Sequence, residues 1–152
     1  MSVLRGVDLT KQETILMPGE GQAINVLGDR QTIKLSGTQT DGTLAVIEQN
    51  NIPGSAVPMH VHTRENETFY VSEGEVTFFL AGKEVVATAG TTIFLPRGVP
   101  HGFRVNKPTR AILFLQPAGG EAMFRKLSEL PPGPPDMEKA IAICAEYGVY
   151  FT

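Results

Sequence analysis

Turn-forming dipeptides punctuate this chain at short, regular intervals: Asp41-Gly42, Pro53-Gly54, Glu73-Gly74, Ala81-Gly82, Ala89-Gly90 and Arg97-Gly98. Glycine adopts the backbone angles of tight reversals without steric cost, so each pair marks a place where the chain turns back. Sixteen glycines and eleven prolines in 152 residues fit the same reading. Between the turns lie short apolar-rich segments with no helical periodicity. Strands are expected over 31–35, 44–49, 57–62, 68–72, 75–80, 83–87, 92–95, 101–105 and 111–116. Many short strands at close spacing predict an all-β antiparallel sandwich or barrel.

The pattern changes after Pro117. Met123, Phe124, Leu127 and Leu130 fall at helical spacing, which predicts a helix over 120–130, stopped by the proline run at 131–135. Asp136 can cap a second helix that reaches Tyr147, with Gly148 as its stop. The tail Val149-Tyr150-Phe151 is too apolar to stay in solvent. Residues 1–118 are therefore expected to form the barrel. Residues 119–152, too few to hold a core alone, are expected to cover it or a partner subunit.

Composition excludes several functions. The net charge of -3 gives no electrostatic reason for a nucleic acid or an anionic membrane as partner. No stretch approaches the ~20 apolar residues of a membrane span, and the first twenty residues hold no apolar run of a signal segment. Cys144 is the single cysteine, so no intrachain disulfide forms. A reducing, cytoplasmic setting is the expectation. Cys144 itself, among Ile141, Ile143 and Ala145, reads as a small buried hydrophobe.

Three histidines carry the chemistry. His60 and His62 form an H-x-H pair, Glu67 follows, and His101 closes the phrase Pro96-Arg97-Gly98-Val99-Pro100-His101. Residues two apart on a strand share a face, so β structure aims both imidazoles at one point. Glu67 has the opposite parity. The polar run Thr63-Arg64-Glu65-Asn66 is therefore read as a reversal, with Glu67 starting the returning strand beside His62. Phe69 and Val71 then follow Glu67 into the interior, and Phe103 follows His101. Tyr70 points outside. Glu65 is read as a solvated turn residue, with orientation of a ligand histidine as the alternative. Arg97 and Arg104 are read as surface cations.

Three imidazoles and one carboxylate are suitable ligands for a divalent transition metal. Imidazoles bind such an ion at ~2.0–2.1 Å, and the carboxylate lowers the net charge and can serve as a base. Four protein ligands on an ion that accepts six leave positions for water, dioxygen or substrate. The histidines must be neutral to bind, so affinity is expected to fall below pH ~6.5.

The spacing resembles the cupin family. Gly54, His60-Val61-His62, Glu67 and Gly74 match its first motif without a gap, and Gly90, Pro96, Gly98 and His101 match its second. The family pattern has an asparagine four residues after the last histidine. This chain has Val105 there and Asn106 next. The phrases around His62 to Val71 and Pro96 to His101 are similar to those of bacterial cupins grouped with quercetin 2,3-dioxygenase. The resemblance implies a jelly-roll β-barrel (double-stranded β-helix) with a short C-terminal helical extension, commonly as a homodimer. It also implies a metal on His60, His62, Glu67 and His101. Glu67 would accept the proton of a substrate hydroxyl, and Phe69 and Phe103 would line the substrate pocket. The expected cofactor is one divalent transition metal, Fe(II) or Mn(II) first, then nickel, cobalt or zinc. The expected partners are a small aromatic or enolisable substrate and dioxygen. A non-catalytic binding or sensing protein and a redox-neutral isomerase or lyase are the alternatives.

Overall fold

Alternating burial organises the molecule, whose computed structural model describes Gly6, Asp8 and residues 10–152. Residues 1–5, 7 and 9, which the sequence reading placed in the barrel segment, lie outside the described residues. The strands are β1 (Gln22–Val26), β2 (Asp29–Leu35), β3 (Ala45–Asn51), β4 (Ala56–His62), β5 (Asn66–Leu80), β6 (Lys83–Thr88), β7 (Thr92–Leu95), β8 (His101–Gln116) and β9 (Val149–Phe151). Helices α1 (Gly120–Leu127) and α2 (Met137–Glu146) lie between β8 and β9.

Every strand pairing is antiparallel, and the sheet runs β1-β2-β3-β8-β4-β9 with β5 on the other side of β8. Strand β8 is the spine. Its C-terminal half lies between β3 and the start of β5, and its N-terminal half between β4 and the end of β5. Strands β6 and β7 pair along β5. The result is the curled, all-β jelly roll that the resemblance implies, followed by two short helices.

Two expected reversals are not reversals. The segments 68–72 and 75–80 are one strand, β5, and 101–105 and 111–116 are one strand, β8. At Glu73-Gly74 the ladder shifts register instead of turning. Gly74 has φ +95°, and a Cβ there would lie 2.3 Å from the Pro108 carbonyl oxygen. Its glycine thus permits a close strand approach at a bulge. Asn106 clips the same region, donating to Glu75 Oε1 at 3.1 Å and Thr77 Oγ1 at 2.8 Å.

Strand β1 was not anticipated. It forms a hairpin with β2 through Leu27-Gly28, where both residues have positive φ, 51° and 95°. A two-residue turn of that shape normally carries Asn or Asp with Gly, so a leucine hides the signal.

The core is continuous inside the barrel: Ile33, Ile47, Phe69, Val71, Phe78, Val105, Leu113 and Leu115 pack together. Each such side chain contributes roughly 1.5–3 kcal/mol by leaving water. A second cluster joins Val26 to Met123, Leu127, Ala140, Cys144 and Val149, so the helices close one end of the barrel. The Asp136 carboxylate accepts from the Lys139 N–H and caps α2. Gly148, at φ +76°, then turns the chain so that β9 extends the sheet along β4.

Candidate metal centre

On β4 the side chains alternate, so His60 and His62 are both buried on the interior face. His101 opens β8 and is the ladder partner of His60. The next residue, Gly102, lets the two strands close. A Cβ there would lie 2.8 Å from the Val57 carbonyl oxygen and 3.1 Å from the Met59 nitrogen. The His60 ring sits 4.4 Å from His101 and 5.1 Å from His62, centroid to centroid.

Glu67, second residue of β5, is also buried. Its Oε2 lies 2.9 Å from His101 Nε2 and 3.3 Å from His62 Nε2. One donor atom from each of the four residues falls within 4.8 Å of all the others. The chain does reverse after His62, but Glu67 does not lie beside it in the ladder. β5 pairs with β6, β7 and β8 and not with β4, and the partners of Glu67 are Leu95 and Leu115. The carboxylate therefore reaches the histidines across the barrel interior. Curvature of the sheet, which strand parity does not encode, closes that gap.

Each ring also has an acceptor beside its Nδ1. Nδ1 of His60 donates to the Pro58 carbonyl at 2.8 Å, that of His62 to Glu65 Oε1 at 2.6 Å, and that of His101 to the Val99 carbonyl at 3.1 Å. A neutral ring protonated at Nδ1 presents its lone pair at Nε2, the form in which it binds a metal. Without an ion, His101 Nε2 at 2.9 Å and His62 Nε2 at 3.3 Å face Glu67 Oε2 favourably only with a proton on the ring nitrogen, a proton that a bound ion would replace. With the rings protonated at Nδ1 instead, three Nε2 lone pairs and one carboxylate converge, and this donor set suits a divalent transition metal.

The electrostatics differ from ring to ring. Burial pushes the His60 imidazole down to about 4, with the neighbouring His101 and His62 adding to the effect and the Pro58 carbonyl opposing it. His60 is thus neutral at physiological pH. Burial acts the same way on His62, but the hydrogen bond to Glu65 and the charges of Glu67 and Glu65 outweigh it and raise its pKa. Glu67 is held below the usual carboxylate range. Burial opposes this, and the His101 hydrogen bond with the three surrounding imidazoles prevails.

Glu65 corrects the sequence reading. It is not a solvated turn residue but buried, with its carboxylate on His62. The H-x-x-E spacing from His62 was the available signal. It is ambiguous, because a polar turn has the same composition.

The four residues stand in a cavity of about 190 Å³. Phe69 and Phe103 line it, their rings 6.3 Å apart, and so do Leu113, Met123, Phe124 and Phe151. Phe151 comes from the C-terminal strand and lies 5.5 Å from the His60 ring, a contribution sequence reasoning did not single out. Tyr70 faces outward and is exposed. Arg104 lies outside as well, over the Phe79 ring at 5.5 Å. Cys144 also borders the cavity, and burial pushes its thiol up to about 11, so it is not a ready nucleophile.

Comparison with known proteins points the same way. Residues 48–115 match the family model of the cupin domain. The chain is 28% identical over 116 residues to quercetin 2,3-dioxygenase of Bacillus subtilis (strain 168), covering 76% of this chain and 34% of that one. It thus spans about a third of the length of that relative. An RmlC-like cupin from Shewanella frigidimarina superposes with a TM-score of 0.63 at 22% identity, over 75% of this chain and 99% of that one. The polyketide cyclase RemF from Streptomyces resistomycificus gives 0.60 at 23% identity, over 71% and 81% of the two chains. Residues 48–115 thus resemble a cupin domain, and the described fold is the jelly roll seen in cupin structures.

Proposed function

We propose that His60, His62, Glu67 and His101 hold one divalent transition metal. The protein is then a metal-dependent, dioxygenase-like enzyme acting on a small aromatic or enolisable molecule, with a flavonol as the first candidate. The observation that carries this reading is the convergence of four buried donors on one point of an aromatic-walled cavity. The likeness to quercetin 2,3-dioxygenase supports the choice of substrate class.

When bound, the metal supplies Lewis acidity and, as iron or manganese, the redox chemistry that dioxygen requires. The chain's own residues do the rest. Glu67, held ionised by the imidazoles around it, takes the proton of the substrate hydroxyl at its carboxylate. Phe69 and Phe103 grip the ring and keep water from it. Glu65 holds His62 in the tautomer that leaves Nε2 free. We further read the protein as a cytoplasmic homodimer. The exposed Tyr70 and Phe94 on β5 and β7 support a second copy covering that face, and sedimentation velocity tests it.

The deciding experiment loads the purified chain with iron, manganese, nickel, cobalt or zinc and follows oxygen uptake on flavonols and diketones. Uptake is expected with iron or manganese, lost in His60→Ala with the fold intact. No uptake with any redox-active metal sinks the oxygenase reading. Turnover with zinc and without oxygen assigns the site to redox-neutral chemistry instead.

A further inference from the structure

The cavity has a second polar region, on β2 and β3. Along the interior face of these strands run Asp29 and Gln31, then Ile33 on β2, with Ile47, Gln49 and Asn51 on β3. Gln31 and Gln49 are direct cross-strand partners, both about 95% buried and both on the cavity wall. Amides on the inward parity of two core strands are costly unless their hydrogen bonds are satisfied.

Asp29 is satisfied. It accepts from Asn51 Nδ2 at 2.7 Å, Ser55 Oγ at 2.7 Å and the Ile52 N–H at 3.1 Å. Gln31 is not. Its amide oxygen is the one buried side-chain polar atom without a hydrogen-bond partner among the described residues. The barrel thus carries an uncompensated amide that a leucine or methionine of similar volume would remove. None of the metal-centre residues explains its presence, because each has its own partner.

We propose that Gln31, flanked by Gln49, is a specificity residue that reads a hydrogen-bonding group, foremost a hydroxyl, on the part of the substrate that faces β2 and β3. The inference rests on the reading that the cavity takes a small aromatic molecule. It adds that this molecule carries a polar substituent besides the atoms facing Glu67. A ligand hydroxyl completes the amide, and an analogue lacking it leaves the amide buried and unpaired. Such sites discriminate strongly, whereas a purely apolar wall prefers the analogue without the hydroxyl.

Phenol and toluene are near-isosteres that test this directly. Their binding to the zinc-loaded full chain is measured by calorimetry and by the side-chain ¹⁵N–¹H signals of Gln31 and Gln49. Wild type is expected to bind phenol at least fivefold more tightly than toluene, with the Gln31 amide signals shifting. In Gln31→Met the order inverts, and thermal melting confirms an intact fold. Gln49→Met is expected to weaken the phenol preference by a smaller factor, and it stands in if Gln31→Met does not fold. Equal binding of the two probes, or no phenol binding, overturns the proposal. So does a phenol preference unchanged in the variants, which places the hydroxyl on the metal. Oxygen uptake plays no part in this readout, so the oxygenase reading and this one fail separately.

Discussion

Glu65 accepts the Nδ1 proton of His62 across 2.6 Å, with both side chains shut away from solvent. Its Oε1 also lies 3.4 Å from where a Cβ of Gly120 would stand, against the first turn of α1. The C-terminal helix therefore backs the residue that orients a metal-facing histidine. Loss of such a partner typically costs 10–100-fold in metal affinity. Glu65→Ala is expected to lose about that much, and Glu65→Gln less, because its amide oxygen accepts the same proton. Competition with a chromogenic chelator measures both. Unchanged affinity in a folded Glu65→Ala would remove the orienting role.

The pH dependence of metal binding follows from the same contacts. His62 is raised above the ordinary imidazole value, so it still carries a proton above pH 6.5 that an incoming ion must displace. His60 is neutral down to about 4 and offers no competition. As pH is lowered, affinity is thus expected to begin falling while the pH is still above 6.5, earlier than unperturbed histidines would predict. In metal-free protein His60 contributes a second slope. Between pH 6.5 and about 4 the unfolded chain binds a proton at His60 that the folded chain excludes, so this residue lowers stability as pH falls through that window. Histidine ring signals in NMR, followed through both ranges, check the assignments. A His60 titration near 6.5 contradicts the burial argument.

What the sequence made legible was local. Parity placed His60 with His62, Glu67 with Phe69 and Val71, and His101 with Phe103. Asp136 and Gly148 marked the ends of α2 as they stand. Curvature and long-range pairing were not legible. Glu67 was assigned beside His62, yet it meets the histidines across the barrel. The reversal inferred at Glu73-Gly74 is a bulge, because a glycine's signal for close backbone approach and its signal for a turn are identical. Glu65 was misread for a related reason. A charged residue in a polar run is ordinarily solvated, and the approach of Gly120 in α1 and of His62 to the Glu65 carboxylate is a long-range contact that the run does not encode.

Gly102 sits beside His101 where β8 runs closest to β4. Gly102→Ala places a methyl carbon 2.8 Å from the Val57 carbonyl oxygen and 3.1 Å from the Met59 nitrogen, both backbone atoms that cannot step aside singly. Strand β4 must shift, and it carries His60 and His62 away from His101. Metal affinity is expected to fall at least tenfold, and stability by about 1–3 kcal/mol from overpacking. Chelator competition and urea unfolding measure the two. A variant with wild-type metal affinity shows that the strand spacing does not set the ligand geometry.

Strand β9 gives the C-terminus a share in the site. Its residues pair with the ligand strand itself, Val149 with His62 and Phe151 with His60, and Thr152 N–H donates to the Met59 carbonyl at 3.0 Å. Truncation after Gly148 removes the buried Val149 and leaves β4 as an open edge. Losing one buried valine and part of one phenylalanine costs about 2–3 kcal/mol, which lowers the melting temperature of a chain this size by roughly 5–10 °C. The bared edge also invites intermolecular pairing, so light scattering is expected to rise before unfolding is complete. Metal affinity should drop with it, since Phe151 no longer shields the His60 ring from water. A truncated chain that melts, scatters and binds metal like the full one means that β9 covers the barrel without holding it.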